Sequence, residues 1–287
     1  MHILVTGGTG TVGTQVVKEL AARKARVTVL SRDAARTSTH PASVKIVEGN
    51  LIKPKTVRTV FQRVDAVFLL NGVSQTESAE GLMAVSGMRS AGVKRVVYMS
   101  VQDADKAAWL PHFGAKAGIE EALRQSGIPF TILRPNNFYQ NDYWYRDAML
   151  GANVYPQPIG DVGLSRVDVR DIAEMAATTL MTDGHDGQTY NVVGPTVETG
   201  ASTAATWSEA LGRHIVYGGN DLDAWEEQAN SSMPDWMVFD MRLMFERFQQ
   251  AGLRASQEDI DTQTRILGHA PRSFAAFATE VAKVWMK

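Results

Sequence analysis

The sequence predicts an α/β protein, a doubly wound parallel sheet with a smaller, mainly helical C-terminal lobe. Three observations predict it. Short apolar runs recur at Ile3–Thr6, Arg26–Leu30, Val44–Glu48, Ala66–Leu70, Arg95–Ser100, Phe130–Leu133 and Gln188–Val193, with helical periodicity between them. Continuous apolar strands alternating with helices are the pattern of a parallel sheet covered on both faces. A glycine-punctuated turn, Gly7-Gly8-Thr9-Gly10-Thr11-Val12-Gly13, follows the first run and leads straight into an amphipathic segment. Beyond Gly194-Pro195 the chain becomes mainly helical and rich in Trp and Met.

The elements follow in order. A first helix spans 11–23, with Val12, Val16, Val17 and Leu20 on one face. A helix after Pro54 carries Val57, Val60 and Phe61, and another spans 78–91. The stretch 101–111 reads as a loop, and a helix over 112–125 stops at Ser126-Gly127. Pro135 keeps Arg134 out of helical geometry, so the chain turns after the sixth strand. Leu164–Val167 reads as a strand before a helix containing Ile172, Met175, Ala176 and Leu180. In the lobe, Met233, Met237, Met241, Met244 and Phe248 fall at helical spacing and predict one apolar face. The expected division is 1–195 and 196–287, with part of a substrate cleft at 136–166.

Composition narrows the functional classes. With 29 basic and 31 acidic side chains the formal charge is −2, so neither nucleic acid nor an anionic membrane is an expected partner. There are no cysteines, which excludes disulfides, thiol nucleophiles and thiolate-bound metals. The six histidines show no metal-ligand spacing, so no metal is expected. No Gly-x-Ser-x-Gly elbow or phosphate loop ending in Gly-Lys-Ser/Thr is present. The first residues form a core strand rather than a basic segment with an apolar stretch, and no run reaches membrane-spanning length. A cytoplasmic protein is the expectation, with oligomerisation left open.

The glycine turn suits a dinucleotide pyrophosphate in a Rossmann-type sheet. Gly7 permits the turn, Gly10 lets backbone approach the phosphates, and Gly13 lets the helix pack closely. An acidic residue at the end of the second strand would hold an unphosphorylated ribose; Ser31 and Arg32 stand there instead. A hydroxyl and a guanidinium suit a 2′-phosphate, so NADP(H) is the predicted cofactor. Asn50 is open to two readings, an adenine contact or a turn residue, and Asn71-Gly72 to the same choice near the cofactor ribose.

These residues, together with Ser100, Lys116, Thr131–Phe138, Val167–Ala173 and Gly268–Phe274, resemble the NmrA-like group of atypical short-chain dehydrogenase/reductases over nearly the whole chain. Members of that group include NADP(H)-dependent reductases of quinones, dyes and other aromatic compounds. Others are regulators or redox sensors that bind the dinucleotide without turning it over. The resemblance implies cofactor contacts from Thr9, Thr11 and Val12 beside the glycines, from Leu51 beside Asn50, and from Ser100. It implies further contacts from Lys116 on the nicotinamide ribose and from Pro135, Asn136, Asn137 and Phe138 at the nicotinamide end.

In typical members of the wider family a Ser, and a Tyr four residues before a Lys, carry the proton chemistry. Here Lys116 matches the Lys, but His112 occupies the place of the Tyr. Residues four apart share a helix face, so both can point into one site. With an ordinary pKa of about 6.5, His112 is a candidate proton donor, although a helix N-terminus favours the neutral ring. His112 and Lys116 are the candidate catalytic residues. The missing Tyr argues against the usual carbonyl chemistry, but not against hydride transfer to quinones, azo groups, triarylmethane dyes, imines or activated alkenes.

The segment after the sixth strand carries Phe138, Tyr139, Tyr143, Trp144 and Tyr145. Ligands of open α/β sheets bind at the carboxyl ends of the strands, which suggests an apolar pocket stacking on a flat aromatic substrate. Tyr139, Tyr143, Trp144 and, from the 101–111 loop, Trp109 are its expected contacts. Two readings result: an NADPH-dependent reductase of an apolar, aromatic small molecule, or an NADP(H)-sensing regulator that acts through a protein partner.

Overall fold

The protein was analysed as a computed structural model, which describes residues 1–33 and 40–287. Its first strand, β1 (His2–Thr6), is buried from Ile3 onward, as only a central strand covered on both faces can be. The chain continues through α1 (Thr11–Ala22), β2 (Arg26–Ser31), β3 (Lys45–Glu48), α2 (Pro54–Val60), β4 (Ala66–Leu69), α3 (Glu77–Ala91), β5 (Arg95–Met99), α4 (Pro111–Ser126), β6 (Phe130–Pro135), α5 (Val169–Met181) and β7 (Gln188–Val192). The seven strands form one parallel sheet in the order β3-β2-β1-β4-β5-β6-β7. The winding reverses between β1 and β4, where Ile3 pairs with Val27 on one side and Ala66 on the other.

Strand alternation sorts the core onto two faces. Leu4, Val67, Leu69, Val96 and Tyr98 pack with Val57 of α2, Met88 of α3, and Ile119 and Leu123 of α4. Residues of opposite parity, including Ile3, Val5, Phe68 and Val97, are equally buried on the face that α1 and α5 cover. Gly92 and Gly127 end α3 and α4 in the left-handed conformation.

The chain divides into two compact units that interleave in sequence: Met1–Pro135 with Val169–Val192, and Asn136–Asp168 with Val193–Lys287. The first is the sheet and its helices. The second is mainly helical, with α6 (Gly200–Leu211), α7 (Leu222–Ala229), α8 (Asp235–Ala251), α9 (Gln257–Leu267) and α10 (Phe274–Trp285). A 3₁₀ segment (Tyr139–Tyr145) and a two-residue parallel pairing of Val154–Tyr155 with Val216–Tyr217 complete it. Its core is aromatic: Trp207 stacks on Trp285 at 4.8 Å and meets Phe274 and Phe277 edge-on.

Two local expectations are corrected. Leu164–Val167 is not a strand: Leu164 makes isolated bridges to Glu198 and Leu253, and Val167 one to Phe138. Its four residues are all buried in the second unit, the polar Ser165 and Arg166 included, without sheet pairing. The buried face of α8 is Val238, Met244, Phe245 and Phe248, while Met237 and Met241 are only half-buried and Met233 precedes the helix. Among the described residues no helix is long and apolar enough to cross a membrane.

Candidate functional site

In the first unit, the carboxyl ends of β1 and β4 are tied beyond their ladder. Thr6 Oγ1 donates to the Leu70 carbonyl at 2.9 Å and accepts from the Leu70 N–H at 2.8 Å. The chain then turns at Gly7, whose φ of +63° is left-handed. A Cβ on Gly13 would collide with the Gly7 and Gly8 backbone, so α1 starts directly against the turn. Gly10 caps α1 without a side-chain hydrogen bond, so among the described residues the first-turn N–H groups and the positive end of the helix have no capping side chain. Thr9 is half-buried and Thr11 exposed, whereas the Val12 side chain is turned into the core.

At the ends of β2 and β3, Ser31 is buried and its hydroxyl closes a local turn. It donates to the Asp33 carbonyl at 2.7 Å and accepts from the Asp33 N–H at 3.2 Å. Arg32 is exposed. Asn50 acts as a turn residue, its Oδ1 accepting from the Ile52 N–H at 3.0 Å, and the Leu51 side chain belongs to the apolar core. No sequence signal pointed to His40. Burial lowers its imidazole pKa, Lys18 adds to that, and the nearby Gly8 backbone opposes it.

Asn71 lies just past β4 and is 3% exposed, yet neither its Oδ1 nor its Nδ2 has a hydrogen-bond partner among the described residues. A buried amide without partners is costly, by about 1–3 kcal/mol, and is rare without a reason. Gly72 beside it opens on free space. An orphaned amide beside an uncapped helix start, at the reversal of a parallel sheet, fits a polar dinucleotide.

Past β5, the Ser100 hydroxyl is spent on Glu120, to which it donates at 2.5 Å. Glu120 also receives Arg134 through Nε at 2.9 Å and Nη2 at 2.7 Å, and Arg124 at 2.9 Å. Burial pushes the Glu120 carboxyl up, but the Arg134 and Ser100 hydrogen bonds outweigh it and hold the pKa below the ordinary value. Arg134 also reaches Asp105 at 3.0 Å, which closes the loop after β5 onto β6. Ser100 and Arg134 are thus clamp residues. Tyr98 is fully buried, and its hydroxyl has no partner among the described residues. Burial raises its phenol well above the ordinary value, with the Glu77 and Glu120 charges adding to the effect.

The α4 pair forms as spacing predicted, with His112 and Lys116 both buried one turn apart. His112 packs edge-on against Phe113 at 4.7 Å. Lys116 Nζ meets Glu77 Oε1 at 2.6 Å, a buried ion pair to the first residue of α3. No sequence signal pointed to Glu77, because the pairing depends on how α3 and α4 pack. Trp109 is exposed just before α4.

The second unit holds the other expected residues. Asn136 is engaged at both ends, Nδ2 donating to the Leu253 carbonyl at 2.7 Å and Oδ1 accepting from the Asn137 N–H. Asn137 Oδ1 and the Phe138 carbonyl both accept from Arg166. Tyr139 is a correction. It is fully buried against Phe274 and Phe277, with its hydroxyl on the Arg272 carbonyl, so its ring has no open face for a substrate. Tyr143 is exposed along one edge while packing on Phe277 and Trp285, and Trp144 is 76% exposed. Asp142 and Arg166 form a fully buried ion pair at 2.6 Å, with Trp207 Nε1 and the Tyr155 hydroxyl also donating to Asp142. No local sequence signal marks this pair, whose members lie 24 residues apart.

The family model for the NmrA-like family matches residues 1–276. The chain belongs to the NmrA-like family. It is 30% identical to the NAD(P)H azoreductase of Xenophilus azovorans, over 96% of each chain. Its fold matches the NADPH complex of the Escherichia coli NADPH-dependent quinone oxidoreductase with a TM-score of 0.87, at 21% identity and covering 97% of this chain and 99% of that one. It also matches NmrA, a negative transcriptional regulator, in complex with NADP, with a TM-score of 0.78, 18% identity and coverage of 100% and 99%. At those identities both structures speak for the fold alone.

Proposed function

We propose that this protein is an NADPH-dependent reductase of an apolar, aromatic acceptor, of the quinone, azo, triarylmethane, imine or activated-alkene type. The observation that carries the reading is Asn71, a buried amide without partners among the described residues, at the sheet's reversal and beside the start of α1, whose N-cap Gly10 makes no side-chain hydrogen bond. The likeness to an azoreductase over the whole chain supports the choice of reaction.

In this reading the α1 N-terminus and the Gly7–Gly13 turn hold the pyrophosphate, and Arg32 meets the 2′-phosphate as an exposed charge. Asn71 and the backbone at Gly72 receive the ribose side, with Lys116 on the nicotinamide ribose. When bound, NADPH supplies a hydride. His112, buried one turn from Lys116, holds the proton that completes reduction. Trp109, exposed just before α4 in the first unit, is the residue proposed to contact the acceptor; in the second unit Tyr143 and Trp144 also keep exposed rings.

The decisive experiment follows NADPH oxidation against a panel of quinones, azo dyes and triarylmethane dyes. Turnover with at least one acceptor is expected. Tight NADPH binding without turnover on any of them would overturn the enzyme reading in favour of an NADP(H)-sensing regulator.

A further inference from the structure

We propose that Glu77 is a positioning residue for Lys116, fixing the ammonium in place and leaving its other two N–H donors for the ribose hydroxyls. The proposal rests on the reading of Lys116 as the ribose residue. Glu77 is 1% exposed and Lys116 5%, and their charged atoms meet at 2.6 Å.

Stability does not account for such a pair. Desolvating two charges costs about what their attraction returns, and apolar residues of similar volume would serve the fold as well. An ammonium has three donors, and Glu77 takes one; no other hydrogen bond to Lys116 Nζ is found among the described residues. Two buried donors aimed elsewhere point to a ligand with two acceptors, as a ribose diol has.

The surrounding ionisable groups single out Glu77. Glu120, one turn further along α4, is already saturated by Arg134, Arg124 and Ser100. Tyr98 of β5 stays a neutral phenol because burial and both carboxylates raise its pKa. His112 sits one turn before Lys116 on α4 and carries no negative charge. Glu77 opens α3, where the helix dipole favours an ionised carboxylate.

The test measures NADPH affinity of the full chain by fluorescence titration. Glu77→Gln is expected to weaken binding about tenfold, because the ammonium loses the partner that fixes it. Glu77→Asp should restore much of that loss. Wild-type affinity in Glu77→Gln would overturn the proposal. Lys116→Met separates the two layers. If it binds NADPH like wild type, the ribose reading of Lys116 falls; if it weakens binding while Glu77→Gln does not, only the role of Glu77 falls. The double variant Glu77→Leu/Lys116→Met removes both charges and so retains the fold. Its affinity should equal that of Lys116→Met alone. A further loss would show Glu77 acting independently of Lys116 and would also overturn the proposal.

Discussion

Both units bury charge, but they finish the job differently. In the second unit, Arg166 has every side-chain nitrogen satisfied: Nε on Asn137, Nη1 on Asp142, and Nη2 on Asp142 and the Phe138 carbonyl. Its guanidinium also lies over the Phe274 ring at 5.0 Å. Asp142 is equally complete, accepting from Arg166, Trp207 and Tyr155. In the first unit the Glu120–Arg134 clamp is closed in the same way, but around it polar groups are left open. Among the described residues the Asn71 amide and the Tyr98 hydroxyl have no hydrogen-bond partner, and Lys116 uses one donor of three. A closed network holds a fold; an open one beside a glycine turn is prepared for something else.

Substitutions can break or sharpen that contrast. The largest effect is expected from Asp142→Ala, which strands Arg166 as a buried, unpaired charge. A loss of about 3–5 kcal/mol in denaturant unfolding should follow. A variant as stable as wild type would show that the network does not hold the second unit together. Next in size is Arg32→Ala. Its charge is exposed, so the melting temperature should stay put, while the preference for NADPH over NADH falls about ten- to hundredfold. An unchanged affinity ratio would remove Arg32 from the 2′-phosphate site. The smallest free-energy change is expected from Asn71→Leu, and its direction is the informative part. Removing a partnerless buried amide should leave stability unchanged or improved, yet NADPH affinity should drop about tenfold. Lower stability with intact NADPH binding would mean that Asn71 belongs to a closed network after all.

The first unit was legible because its rules are local. An apolar run buried on both faces, a glycine turn and a helix with one apolar stripe each leave a mark in the order of residues, and the strands from Ile3 to Val192 follow those marks. His112 and Lys116 were found together because four residues make one helical turn. Tyr139 shows the limit. Spacing identifies an aromatic segment, but only packing against Phe274 and Phe277, more than 130 residues later, decides that this ring is core while Trp144 is surface. Leu164–Val167 misled for the same reason, since only packing decides whether a buried segment pairs in a sheet or runs as a coil.

By itself the sequence determined the fold class, the glycine turn against α1 and the Ser31-Arg32 pair at the end of β2, all of which depend on neighbours within one or two turns of chain. The tertiary structure decided which polar groups are answered. Glu77 lies 39 residues from Lys116, and Asp142 lies 24 from Arg166. Such pairs form only once helices and loops have packed and water has left. At that point a partner is required for every buried charge, and the missing partners at Asn71 and Lys116 become visible.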